Sequence, residues 1–148
     1  MISTGKQLIA LVFILIFWGC EKEENRSTSI PGRPVYIDIN TTLEHDFNNP
    51  YYSKIYPDQG YGGVIVISYY DYNNNTNLTL GAFDLSCPYE ANASNKVEQK
   101  GKTEVECPKC KSIFEIGDGT GKCKSGPSTE RLRSYYISKD GSTYRIRN

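Results

Sequence analysis

The chain has 148 residues, carries 17 basic and 17 acidic side chains, and is 38% hydrophobic. Without a basic excess, neither nucleic-acid binding nor electrostatic attraction to an anionic membrane is suggested. The single histidine leaves no Ser-His-Asp arrangement to propose, so an enzyme of that kind is not expected; five cysteines are the chemically informative residues.

Lys6 supplies a positive start, the eleven residues Leu8 to Trp18 form an apolar run, and Gly19-Cys20 ends it. That run falls short of the roughly twenty apolar residues that usually span a bilayer. It looks like a bacterial lipoprotein signal, residues 1–19, whose removal leaves Cys20 as the acylated first residue. Retention as an uncleaved anchor is the alternative, and it changes the attachment but not the compartment. Loss of Lys6 takes the basic count from 17 to 16 against 17 acidic residues, so membrane attachment would come from the lipid on Cys20. Residues 20–34 are polar and charged and end in Ile30-Pro31-Gly32-Arg33-Pro34, which reads as a flexible tether. Cys20-Glu21-Lys22-Glu23-Glu24 resembles a short signal that directs lipoproteins to the outer face of the outer membrane, although a solvated linker has the same composition. A lipid-anchored protein of the cell envelope, at the outer membrane, is expected.

The folded domain is expected over 35–148, about the size of one domain with one core. Val35, Ile37 and Ile39 alternate with Tyr36 and Asp38 in the period of a half-buried strand. From Leu43 to Tyr56 the pattern is weak and suggests short strands and loops, with turns at Asn48-Asn49-Pro50 and Pro57-Asp58-Gln59-Gly60. Val64-Ile65-Val66-Ile67-Ser68-Tyr69-Tyr70 is a β-branched apolar run, as a strand covered on both faces needs. Leu78 to Leu85 is the next strand and delivers Cys87 to a loop. Val97–Gln99 and Thr103–Glu106 flank Lys100-Gly101-Lys102 as a hairpin leading into Cys107, and Ile113–Ile116 leaves that turn toward Gly117-Asp118-Gly119-Thr120-Gly121. This glycine turn lacks the Lys-Ser/Thr end of a phosphate loop. Ser134–Ile137 and Thr143–Ile146 close the chain around Asp140-Gly141. No segment keeps a helical period, so an all-β fold is expected: a small barrel or sandwich with a cysteine-bearing hairpin subdomain. The paired tyrosines, Tyr69-Tyr70 and Tyr135-Tyr136 among them, would put one ring on each side of a strand. His45, beside Glu44 and Asp46, reads as a solvated residue; Asp84, Glu90 and Glu115, near the cysteines, could tune a metal site, although carboxylates at strand ends are usually solvated.

Cys107-Pro108-Lys109-Cys110 has the spacing of a metal knuckle, in which one tight turn presents both sulfurs to one point. Cys87-Pro88-Tyr89 precedes it, and Cys123 leads into Lys124-Ser125-Gly126-Pro127-Ser128. A Cys-Pro turn, a second Cys-Pro turn and a Gly-Pro loop, in that order over roughly the last hundred residues, resemble the Rieske iron–sulfur domain. That resemblance implies a 2Fe-2S cluster, one-electron transfer to an unknown partner, and Cys87 and Cys107 as ligands. It departs from the family at both histidine positions, where Tyr89 and Cys110 stand, so a high-potential centre with two imidazoles is not supported. Cys110, and Cys123 as a fourth residue, join the candidate set by spacing. Four thiolates would suit structural zinc or a low-potential 2Fe-2S cluster. Two disulfides, with Cys87 linked to Cys107 or Cys110, are equally natural for four cysteines of an exported chain. In a third reading the thiols stay free and the fold is a binding or structural module.

Overall fold

The computed structural model describes residues 28–73 and 77–148. The expected signal segment, Cys20 and the first part of the tether lie outside the described residues. The described residues form ten strands: β1 (Tyr36–Asn40), β2 (Ser53–Tyr56), β3 (Val64–Asp71), β4 (Asn77–Asp84), β5 (Glu98–Lys100), β6 (Glu104–Glu106), β7 (Ile113–Glu115), β8 (Cys123–Ser125), β9 (Tyr136–Asp140) and β10 (Thr143–Arg147), with one 3-10 turn at His45–Asn48. The protein is all-β, and among the described residues no helix is long and apolar enough to cross a membrane.

The strands form three antiparallel sheets, ordered β1-β10-β9, β2-β3-β4 and β5-β6-β7-β8. The sheet β2-β3-β4 is the middle layer, and the sequence of β3 explains why. Val64 and Val66 point into a core with Ile37, Ile39, Phe47, Leu80, Ala82, Tyr144 and Ile146. Ile65 and Ile67 point the other way, into a second core with Phe83, Leu85, Val105, Phe114, Ile116 and Leu132. All four of these β3 residues are fully buried, because alternate side chains of one strand serve opposite cores. At roughly 1.5–3 kcal/mol for each fully buried Val or Ile, this strand contributes a large part of the driving force for folding.

The second core includes Cys87 and Cys107, with Cys110 and Cys123 packed against its border. The small four-stranded sheet therefore has two roles: it covers the outer face of the middle layer, and its turns carry the cysteines. Tyr135 is buried and Tyr136 is 71% exposed, the opposite-faced pair expected of a strand.

Two sequence expectations need correction. The C-terminal part of the expected tether is packed on the domain rather than free. Ile30 is 1% exposed, the Ser29 amide donates to Glu130 Oε2 at 2.6 Å, and the Ser29 hydroxyl donates to the Pro88 carbonyl at 2.9 Å. The Arg133 guanidinium donates to the Ile30 carbonyl at 3.1 Å. One apolar side chain and three hydrogen bonds thus hold this segment on the domain, one of the bonds reaching the loop that follows Cys87 and the others Glu130 and Arg133.

The second correction is Asp84, expected to be solvated and found fully buried. Its carboxylate accepts from the amides of Tyr61 (2.7 Å), Gly62 (3.1 Å) and Ser86 (2.8 Å) and from the Tyr135 hydroxyl (2.6 Å). A buried carboxylate requires such a set of donors. Gly60 makes the cage possible: its φ is +68°, and a Cβ there would lie 2.5 Å from the Tyr135 hydroxyl and 2.7 Å from Asp84 Oδ2. Burial, followed by the Asp84 hydrogen bond and charge, raises the Tyr135 hydroxyl above its ordinary pKa. Because Asp84 fixes the Ser86 amide, it also fixes the chain direction one residue before Cys87.

Candidate metal centre

Each Cys-Pro pair begins a turn of the same construction. In the first, the Ala91 amide donates to the Cys87 carbonyl at 3.0 Å; in the second, the Lys111 amide donates to the Cys107 carbonyl at 2.9 Å. The fifth residue of each turn has a left-handed backbone, Ala91 at φ 47° and Lys111 at φ 63°. Among the described residues only Tyr51 shares that conformation outside glycine. The first amide of each turn is also tied down, Cys87 to the Asn95 carbonyl and Cys107 to the Ser112 carbonyl, both at 2.9 Å. Proline at the second position fixes φ there and removes an amide the turn would leave unpaired.

The two turns meet in space. The sulfurs of Cys87, Cys107 and Cys110 all lie within 4.8 Å of one another, and Cys87 Sγ is 3.6 Å from Cys110 Sγ. Cys87 and Cys107 are fully buried, and Cys110 is half-buried. The third loop closes over Ser112, whose hydroxyl accepts from the Ser128 amide at 3.1 Å and lies 3.2 Å from Cys110 Sγ. Gly126 is required at that approach: its φ is +102°, and a Cβ would stand 2.5 Å from Ser112 Cα.

Cys123 is placed differently. It sits on β8 opposite Phe114, its thiol faces the Ser125 carbonyl at 3.2 Å, and it is not one of the three mutually adjacent sulfurs. All four thiols are free. Tyr89, at the first histidine position of the resemblance, is 56% exposed. His45 lines a shallow groove with Leu43, Glu44, Asp46, Phe47, Tyr52 and Lys54, none of them a cysteine.

Burial pushes the Cys87 thiol up to about 12, opposed by the Glu90 and Tyr89 amides that point at its sulfur and reinforced by the Cys107 and Cys110 thiols. For Cys110, burial acts upward too, but the Ser112 hydroxyl and amide and the two neighbouring thiols outweigh it, and the net direction is down. Burial raises Cys123. Three sulfurs packed this closely are stable as neutral thiols, or as thiolates when a cation replaces their protons.

Sequence reasoning missed Ser112 at this centre; it placed Glu90 near the cysteines as a group that could tune a metal site, with a solvated carboxylate as the more usual outcome. Ser112 is fully buried between the second turn and the third loop. Glu90 Oε2 pairs with Lys109 Nζ at 2.6 Å, joining the two turns, and its side chain is only 12% exposed.

No family model matches the chain, and no curated protein matches it. Among solved structures, a crystal structure described as a nitrite reductase NADPH (small subunit) oxidoreductase protein is similar, with a TM-score of 0.40 and 13% identity. That similarity covers 79% of this chain and 98% of the other.

Proposed function

We propose that this is a lipid-anchored cell-envelope protein whose all-β domain, Rieske-like in build, binds one thiophilic metal ion through Cys87, Cys107 and Cys110. The observation that carries this reading is the mutual approach of the three sulfurs. A tetrahedral ion with metal–sulfur bonds of about 2.3 Å needs its sulfurs roughly 3.8 Å apart, and Cys87 and Cys110 stand at 3.6 Å. Zinc is the ion that three thiolates and tetrahedral geometry suit best among common divalent metals. Its role would be structural, joining two turns that are twenty residues apart in sequence, Cys87 and Cys107.

The 2Fe-2S cluster that the resemblance implies fits these residues less well. Each iron of such a cluster takes two protein ligands, and in the Rieske form one iron takes two imidazoles. Here the three thiols crowd around one point, Tyr89 turns outward, and no histidine lines the site. Electron transfer through a cluster is therefore not the reading preferred here.

A second reading is favoured by the same 3.6 Å separation: in an oxidising compartment Cys87 and Cys110 would form a disulfide. Attachment to the envelope rests on the apolar run before Gly19-Cys20 and on Cys20 as the acylated residue.

Anaerobic purification of the full chain, followed by metal analysis, sulfide assay and visible absorption, tests the proposal. One zinc per chain with no chromophore is expected, and Cys107→Ser should release it. Two irons with sulfide and a visible band would establish the cluster reading instead. Metal-free protein with Cys87 and Cys110 resistant to alkylation would establish the disulfide. Labelling with a radioactive fatty acid should mark the wild-type chain and not Cys20→Ser.

A further inference from the structure

The two Cys-Pro turns are near copies, and their fourth positions differ in a chemically informative way. The second turn runs Cys107-Pro108-Lys109-Cys110-Lys111 and places its fourth residue, Cys110, among the three clustered sulfurs. The first runs Cys87-Pro88-Tyr89-Glu90-Ala91, so its fourth residue is Glu90. The likeness is in the backbone: carbonyl-to-amide closures of 3.0 and 2.9 Å and left-handed fifth residues at 47° and 63°. The backbone at Glu90 therefore matches the backbone at Cys110 in the opposite turn, while the Glu90 carboxylate stands on Lys109 and outside the group of three sulfurs.

Glu90 is a partly buried loop residue next to the site. Its side chain is 12% exposed, low for a glutamate on a loop. Its amide points at Cys87 Sγ. Its carboxylate reaches across to the second turn, where it pairs with Lys109, one of the two residues between Cys107 and Cys110 in sequence. A glutamate oxygen is an ordinary zinc donor, and three protein thiolates leave one tetrahedral position to fill.

We propose that Glu90 is the fourth ligand of the metal held by Cys87, Cys107 and Cys110, giving a site of three thiolates and one carboxylate. The proposal rests on the reading of those thiols as a metal site. Ligation exchanges the Glu90–Lys109 ion pair for a bond to the cation. The released Lys109 ammonium, whose side chain is 62% exposed, is then solvated by water. Cys123, directed at the Ser125 carbonyl, is then not needed to complete the coordination shell.

The test uses the full chain with Zn2+ and Co2+ as probes, and it reads affinity, X-ray absorption of bound zinc and the sulfur-to-cobalt charge-transfer band. Glu90→Gln should weaken zinc binding by at least the roughly 10–100-fold that loss of a supporting residue costs a metal site. Glu90→Cys should convert a shell of three sulfurs and one oxygen into four sulfurs and strengthen the charge-transfer band. Lys109→Met should leave zinc affinity unchanged or raise it, since the carboxylate no longer has a competing partner. Equal losses in Lys109→Met and Glu90→Gln would show that the ion pair alone matters and would overturn the proposal. So would a Glu90→Cys site that keeps three sulfurs, or a Glu90→Gln variant that binds zinc like the wild type. If the wild-type chain binds neither ion, the metal reading itself fails, a result distinct from binding that ignores Glu90.

Discussion

Tyr135→Phe removes one hydroxyl from the buried cage around Asp84 and leaves the ring in place. The lost bond is 2.6 Å long, to a carboxylate oxygen that keeps only the Tyr61 amide as a partner. Hydrogen bonds to charged groups are worth roughly 1.5–3 kcal/mol. For a domain of this size that corresponds to a fall in Tm of roughly 5–15 °C. The pH dependence gives a sharper check. The folded-state pKa of Tyr135 is raised above its ordinary value of 10.0, mainly by burial and then by Asp84. Below pH 10 the hydroxyl is protonated in both states, and its contribution is fully present. Above pH 10 the unfolded chain loses the proton while the native state resists, so the contribution fades as pH climbs toward the folded value. Urea unfolding of wild type and variant at pH 7, 9.5 and 11, followed by far-ultraviolet circular dichroism, measures the gap directly, and ionisation of the other tyrosines cancels in the difference. A gap under about 0.5 kcal/mol at pH 7, where a buried charged bond should give several times that, would refute the cage as described. A gap that stays constant through pH 11 would refute the assigned titration.

Ile30→Asp should cost roughly 2–5 kcal/mol, through lost burial and an unpaired carboxylate, and amide exchange should show the Pro88 loop loosened in the same variant. If exchange there is unchanged, the N-terminal segment does not brace that loop. Gly126→Ala combines a backbone at φ +102° with a contact at 2.5 Å to Ser112 Cα, so a loss of roughly 1–3 kcal/mol is expected, with faster alkylation of Cys110 as the third loop lifts. Mild oxidation of metal-free protein should join Cys87 to Cys110, whose sulfurs are 3.6 Å apart, as read by peptide mapping. A dominant bridge to Cys123 would contradict the placement of that thiol.

Much of the fold is legible in the sequence because the relevant signals are local. The run from Val64 to Tyr70 reads as a strand covered on both faces, and β3 serves two cores. Asp140-Gly141 marks the turn between β9 and β10, and Lys100-Gly101-Lys102 marks the one between β5 and β6. The Cys-Pro turns announce themselves by composition. Ile30 did not, because one apolar residue between Ser29 and Pro31 has no period. Asp84 was misjudged because charge outweighed position: Leu80 and Ala82 face the first core, and alternation sends residue 84 to that same side. What period cannot supply is the set of distant donors, Tyr61, Gly62 and Tyr135, that make such a burial affordable. Glu90 is legible as a carboxylate near the cysteines, but its likeness to Cys110 lies in backbone geometry and not in residue type.

The changes at the two histidine positions of the Rieske resemblance have unequal consequences. At the first, Tyr89 is 56% exposed and brings no donor to the site. At the second, Cys110 brings a sulfur that joins the other two. One position of the resemblance thus carries no donor here, and the other carries a thiol. A two-iron centre needs its donors divided between two metals, whereas a replaced pair of this kind gathers them around one. The surrounding scaffold need not change for this to happen. The Asp84 cage before Cys87, the Ser112–Ser128 link over the second turn and the packed Ser29–Ile30 segment all hold the loops through contacts that do not involve the missing imidazoles. The loops thus converge so that three thiols share one point. The Glu90 carboxylate, which pairs with Lys109 of the second turn, would complete the proposed mononuclear shell.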